Sequence, residues 1–599
     1  MNRLFGVSIL IALIIAGRVT AQQSTQSGDR SRAITGRVFN HNGQPLAGSK
    51  VLLEKVGSGQ RNNHETFTDE AGEFRFDNLS HGIYLIFAVG APDANQVQKL
   101  YRPGDSVTFR AKKGGVITGT VTDSAGEPMI TARVRVTRVR DEQGRRIYQA
   151  SPFSQWQRDR LTDDRGIYRL WGLVPGSYLV SVGGKNRANE NRAPYTAYDG
   201  APTYHPSAAT PESATEVNLQ DGQEVAGVDI RYRSESGHAI SGYISGLVAS
   251  SSQEAGGVVM LTQAATDAMV DWKGIRATEG SSSFVFDGLA DGEYDLTALR
   301  VVSAVPPDID AASPRRRVII KSKDVSGIEM KLAPLGSIDG RLVLETNPKP
   351  RCQSKNNARP DETLIIANVE GVDPPLPNLT FPALNVRGAP VAPDQKGNFT
   401  FRSLRAAQYH IEAQLLSEDW YIRAINLPGP TPSRPIDAGR EGINLKSGQR
   451  VTGLTISIQE GAAYLRGRVS AALEGSALPA RLRVHLVPAE RQQSDNVLRF
   501  TEAAVQSDGS FLLTNIAPGR YWLLARPADE LRNDSMPPLA WDMEARAKLV
   551  RAAVAADHAI ELLPCQRISD HVLRYDSLVK SDLKKNVIYM TANKQRASK

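Results

Sequence analysis

Few residues in this 599-residue chain have the types and spacing that chemistry requires. A zinc hydrolase holds its metal with a His-x-x-Glu pair and a distant second His, leaving one position open for water. His558-Ala559-Ile560-Glu561 fits the short pattern, but only 38 residues follow Glu561, with His571 the one histidine among them. A peptidase domain has no room there, and the segment reads as an alternating strand. No His-Glu-x-x-His, Gly-x-Ser-x-Gly elbow or Gly-x-x-x-x-Gly-Lys phosphate loop occurs. Asp69, Asp163, Asp164 and Asp508 offer oxygens suited to calcium. All four stand in turns, where an Asp carboxylate bonds its own backbone, and that role suffices. Neither a metal nor a cofactor is expected. The two cysteines, Cys352 and Cys565, exclude a disulfide-dense scaffold and iron–sulfur clusters. A disulfide between them is allowed in an exported protein, and two free buried thiols are the alternative.

The remaining chemistry is non-covalent and depends on which side chains face outward, so the elements must be read first. One block recurs five times: Phe74 to Tyr84, Tyr168 to Tyr178, Phe284 to Tyr294, Phe399 to Tyr409 and Phe511 to Tyr521. Each has an aromatic at position 0, an apolar residue at +2, Leu or Ile at +5, Gly (Ala407 in the fourth copy) at +8, and Tyr at +10. Positions 0 and +2 share a face of a strand. The Gly permits a turn into a second strand, and the Tyr buries a ring while keeping a hydroxyl for a partner.

A second block, Ile34-Thr35-Gly36-Arg37-Val38 with Gly43-Gln44-Pro45-Leu46, precedes the first copy, recurs at 117 with Gly126-Glu127-Pro128-Met129, and returns in shorter form, without that turn, at 240, 338 and 465. A third block, such as Val325-Ser326-Gly327-Ile328-Glu329-Met330, closes most units. With Thr68-Asp69-Glu70-Ala71-Gly72-Glu73-Phe74-Arg75-Phe76 and Gly82-Ile83-Tyr84, these motifs resemble the carboxypeptidase regulatory-like domain. The resemblance is strongest in the first two units, and the units together cover about 32–535. It implies an all-β chain: a tandem array of about five transthyretin-like or Ig-like β-sandwiches with one C-terminal helix. The family's grouping with carbohydrate-binding folds implies a sugar-facing role. Its name denotes an accessory domain, not peptidase activity.

The expected map is 1–21 signal peptide, 32–112, 113–233, 236–333 and 335–459 sandwiches one to four, 461–575 sandwich five with a helix at 542–556, and 576–599 tail. His558 to Leu563 is expected to close the fifth unit, with the last ~35 residues frayed. The units are expected to meet in small, partly polar interfaces that allow some flexing.

Sugar rings stack on outward aromatics. Position +3 faces opposite to 0 and +2; it is Asp77, Asp287, Arg402 and Thr514 in four copies but Trp171 in the second. An insertion nearby adds Trp156, and Tyr195, Tyr198 and Tyr204 follow. These five are the expected ligand contacts; packing of Trp171 against the insertion or the first unit is the alternative. Trp522, on the same parity, is expected beneath the helix.

Arg3, the apolar run Leu4 to Ala16 and Val19-Thr20-Ala21 read as a cleaved export signal. No later run is long enough to span a membrane. The net charge of +8 is mild, and its local clusters, Arg145-Arg146 and Arg315-Arg316-Arg317 among them, read as solvated loop charge. Export argues against nucleic acid as a partner. The expectation is a non-catalytic exported binding protein, periplasmic or at the cell surface, contacting carbohydrate or cell-surface polymer. The alternative is a spacer or adhesin-like module that binds an envelope protein.

Overall fold

The computed structural model describes residues 32–575 apart from 57–62, 90–92, 95–99, 142–159, 185–199, 248–255, 277–281, 305–306, 346–351, 353–357, 370–388, 432–433, 472–477, 480–481, 507 and 528–540. The expected signal segment and tail lie outside the described residues. The chain is a tandem array of five β-sandwiches, each with its own apolar core.

All five follow one plan. The opening strand runs down the middle of a sheet, antiparallel to the strand carrying the position-0 aromatic and parallel to the closing strand. In the first unit these are Ile34–Phe39, Glu73–Phe76 and Ser106–Arg110. The others repeat it with Gly115–Thr122, His238–Ser245, Gly336–Glu345 and Ala463–Ala471 at the centre. A second sheet packs across each, bringing in the Tyr-bearing strand, as Gly176–Val182 does beside Arg133–Arg140. Inward positions alternate along both sheets, so the aromatics and their +2 partners fill the cores.

The repeated tyrosine closes a corner in every copy. Its hydroxyl donates to the carbonyl four residues back: Tyr84 to Ser80 at 2.7 Å, Tyr294 to Ala290 at 2.9 Å, Tyr409 to Arg405 at 2.9 Å, Tyr521 to Ala517 at 2.6 Å, and Tyr178 to Val174. Burial pushes the Tyr409 hydroxyl up to about 12, so it stays a donor at neutral pH. Removing this bond with Tyr294→Phe leaves the Ala290 carbonyl without that donor, an expected loss of about 1 kcal/mol. Native-state hydrogen exchange of Ser283–Leu289 and Gly292–Ala304 checks it; unchanged protection would contradict the corner's role.

Position +4 is left-handed in all five copies: Asn78, Gly172, Gly288, Ser403 and Asn515, with φ of 57°, 72°, 68°, 56° and 56°. In units two to five the register skips there against the opening strand. The bulge bends the strand toward the corner.

The fifth unit differs from expectation. Ala559–Leu562 joins the second sheet beside Gly519–Pro527, and the closing strand is Arg567–Tyr575, parallel to Ala463–Ala471. Its alternation is obscured in the sequence because an apolar residue also stands on the outward face: Leu573 is buried while Val572 is exposed. The helix Met543–Ala556, capped by the Asp542 carboxylate on Ala545 N–H, lies over the outer face of this sheet. Leu549 and Ala553 bury there with Val487 and Leu524, and Trp522 packs at the edge of the cluster.

The sandwiches are not loosely strung. The first folds back on the fourth: Val56, Ile83 and Leu85 form one buried cluster with Leu364 and Ile366. The third meets the fourth through Met260, Leu299, Ile309 and Leu335, with Ser403 Oγ donating to Ile309 O at 2.6 Å. Asn515 Nδ2 of the fifth donates to the Ser417 and Trp420 carbonyls of the fourth, at 2.8 Å each. Cys352 and Cys565 are disulfide-bonded across the same pair of units, 213 residues apart in sequence.

Candidate functional site

Trp171 lies on Ile167–Leu173, the edge strand of the second unit's four-stranded sheet. Tyr168 and Leu170 point into the core, which sends Ile167, Arg169 and Trp171 to the outer face. Gly172, left-handed, follows at once and turns the chain before Trp171 can be covered. The indole is 39% exposed. The Arg160 guanidinium, on the neighbouring edge strand Arg160–Leu161, sits 4.9 Å from its ring centroid. One ring face is thereby engaged in a cation–π contact. Beside it Arg169 pairs with Glu224 at 3.2 Å. An aromatic plane flanked by a guanidinium and an ion pair can stack on a flat, weakly polar ligand while hydrogen-bonding its hydroxyls.

Tyr204 is elsewhere. It lies on Thr203–Tyr204, paired to the far side of the second sheet, and is half-buried. Burial, with Glu212 nearby, raises its hydroxyl to about 12. The second sheet runs from Arg160–Leu161 at one edge to Thr203–Tyr204 at the other, so Trp171 and Tyr204 do not share a site. Trp156, Tyr195 and Tyr198 lie outside the described residues.

An exposed aromatic that sequence reasoning passed over is Trp272, on edge strand Met269–Arg276 of the third unit and 47% exposed. It pairs across to Met260, at the rim of the contact with the fourth unit. The sequence carried no such signal: in Val270-Asp271-Trp272-Lys273 the alternation sets Trp272 against charged neighbours, yet Asp271 and Lys273 are the half-buried positions and Trp272 the exposed one. Trp420 is buried in the fourth core, and Trp541 stacks on His410 with centroids 4.8 Å apart.

The charged candidates are structural. Asp69 Oδ1 accepts from Ala71 and Glu73 N–H, and Asp163 Oδ1 from Arg165 and Ile167 N–H. The Ile167 amide above all holds the Asp163 carboxyl below the usual range. Arg315 and Arg317 are not loop charge: both grip the buried Asp295, at 2.8 and 2.6 Å, while Arg315 also reaches Asp267 and Arg317 reaches Glu293. His558 and Glu561 are both exposed, His558 just before the strand Ala559–Leu562 and Glu561 within it. Among the described residues no group of three His, Cys, Asp or Glu is placed to hold a metal. No described helix is long and apolar enough to cross a membrane.

Residues 33–108, the first sandwich, match the family model of the carboxypeptidase regulatory-like domain. No curated protein matches the chain. Among solved structures it is similar to the TIE protein of Bacillus anthracis, at 14% identity and a TM-score of 0.13, with 50% of each chain covered. The chain thus spans about half the length of that relative. It is also similar to the minor pilin GBS52 of Streptococcus agalactiae: 15% identity, TM-score 0.19, 34% of this chain and 96% of that one. Two B repeat units of the Staphylococcus aureus collagen-binding protein are similar at 10% identity and a TM-score of 0.13, over 72% of this chain and 99% of that one.

Proposed function

We propose that the chain is a non-catalytic, exported structural module of the cell envelope, adhesin-like in that it presents a surface built from several packed sandwiches to another protein or polymer. The observation that carries this reading is the packing of sandwiches on one another, above all the buried contact of the first on the fourth. Acidic and basic side chains that could have served catalysis are spent on turns and ion pairs instead. Cell fractionation tests it: recovery of the chain in the cytosol would sink the reading, and recovery with the envelope or the medium supports it.

A second reading, carbohydrate or cell-surface polymer binding by the second sandwich, is favoured by Trp171 with Arg160 over one face of the ring. Trp171→Ala would remove the stacking plane. The expected result in a glycan and polysaccharide screen is a loss of about 2 kcal/mol, roughly thirtyfold in affinity, with an unchanged circular dichroism spectrum. Equal binding by both proteins, or none by either, would leave only the structural reading.

A further inference from the structure

We propose that the Cys352–Cys565 bond is a load shunt, which carries tension past the fourth and fifth sandwiches and leaves it on the first three. The setting in which tension arises rests on the envelope-module reading; the path of the load rests on strand order alone.

In the first three sandwiches the chain enters at the start of the opening strand and leaves from the end of the closing strand. These two strands are parallel, hydrogen-bonded neighbours: Ile34–Phe39 with Ser106–Arg110, Gly115–Thr122 with Glu224–Val225 and Ile230–Arg231, and His238–Ser245 with Val325–Lys331. Pulling on the two ends slides the strands past each other along their length. Every ladder bond between them is loaded together, and extension requires the whole ladder to fail.

The fourth and fifth sandwiches have the same parallel pairs, Gly336–Glu345 with Arg450–Glu460 and Ala463–Ala471 with Arg567–Tyr575. Their load path differs because of the disulfide. Tension enters at Gly336 and runs along Gly336–Glu345, and Cys352 follows the end of that strand. It crosses to Cys565, which stands just before Arg567–Tyr575, and leaves along that strand. Each of these two strands is pulled along its own axis, and a strand is already close to full extension. The fourth unit's closing strand, the fifth unit's opening strand and the helix Met543–Ala556 all fall inside the bridged 213-residue span and bear no end-to-end tension.

The test is a force ramp on the whole chain held by tags at its two ends, in the absence and presence of a dithiol reductant. Without reductant, the first sandwich releases from the fourth and three sandwich-sized unfolding events follow. With reductant there are five, and the final extended length grows by roughly 700–770 Å for the freed 213 residues. The Cys352→Ser/Cys565→Ser double variant is expected to give the long extension without reductant. Equal final lengths with and without reductant overturn the proposal, as does a double variant that keeps the short length. Because the readout uses no ligand or partner, a chain recovered in the cytosol would overturn the proposed function and leave this result as it stands.

Discussion

Gly242→Val is expected to unfold the third sandwich while the others hold. Gly242 lies in the opening strand opposite Phe284 and beside the parallel closing strand. A Cβ there would stand 2.0 Å from Ile328 O and 2.8 Å from Ile328 C. The obstacle is backbone, so no rotamer change relieves it; the closing strand would have to move away and give up its ladder. Equivalent glycines meet the same wall: Gly36 at 2.4 Å from Val107 O, Gly119 at 2.2 Å from Val228 O and Gly467 at 2.3 Å from His571 O. Gly340 meets the Phe399 ring at 2.3 Å. Overpacking a well-filled site costs typically 1–3 kcal/mol, and separating two strands places this case at about 3 kcal/mol or more. For a unit of this size that lowers the unfolding transition by roughly 10–20 °C. Hydrogen exchange resolved by sandwich is the measurement, and unchanged protection of the third unit would refute the argument.

That glycine shows where sequence reading stopped. The five-fold spacing of aromatic, Gly and Tyr is local, and it was enough to give sandwiches and their corners. The opening-strand Gly recurs as regularly, yet its cause lies on a strand that in the third unit is more than 80 residues further on. The left-handed +4 position was harder to see because three residue types fill it: Asn, Gly and Ser. Parity sends Trp171 outward, but parity says nothing of the Arg160 guanidinium that lies on it. The docking of the first unit on the fourth did leave a trace. Ile83-Tyr84-Leu85-Ile86 and Leu364-Ile365-Ile366-Ala367 are unbroken apolar runs in units whose other strands mostly alternate. A continuous run means a strand covered on both faces. What covers the second face is tertiary, and pairing two such runs across the chain requires the structure.

The second large effect is expected at that dock. Arg102 of the first sandwich reaches Glu362 of the fourth at 3.2 Å, with side chains only 17% and 9% exposed. Arg359 lies 3.2 Å from Asp361 and 3.9 Å from Glu362, and the Lys55 amine, bonded to Ser80 Oγ and the His81 carbonyl, feels the Asp361 charge. Burial pushes the Glu362 carboxyl above its ordinary 4.5, against the pull of Arg102. Arg102→Ala would leave Glu362 and Asp361 together under the contact with only Arg359 and Lys55 to offset them. Removing one partner of a buried pair costs about 3 kcal/mol or more, which the five buried apolar side chains of the dock must then outweigh. The variant is expected to open at pH 7, with both sandwiches still folded, read as a fall in energy transfer between dyes on the first and fourth units. The pH dependence has a definite sign. The docked state holds the Glu362 proton more tightly than the undocked state. Docking is therefore strongest below the undocked value and weakens as pH rises through the docked one. Lowering the pH from 7 toward 5 should tighten the wild-type dock slightly. In Arg102→Ala, where the cation that lowers the carboxyl is gone, it should close the chain again. A variant that stays closed at pH 7, or one that opens further in acid, would show that the ion pair does not govern the dock.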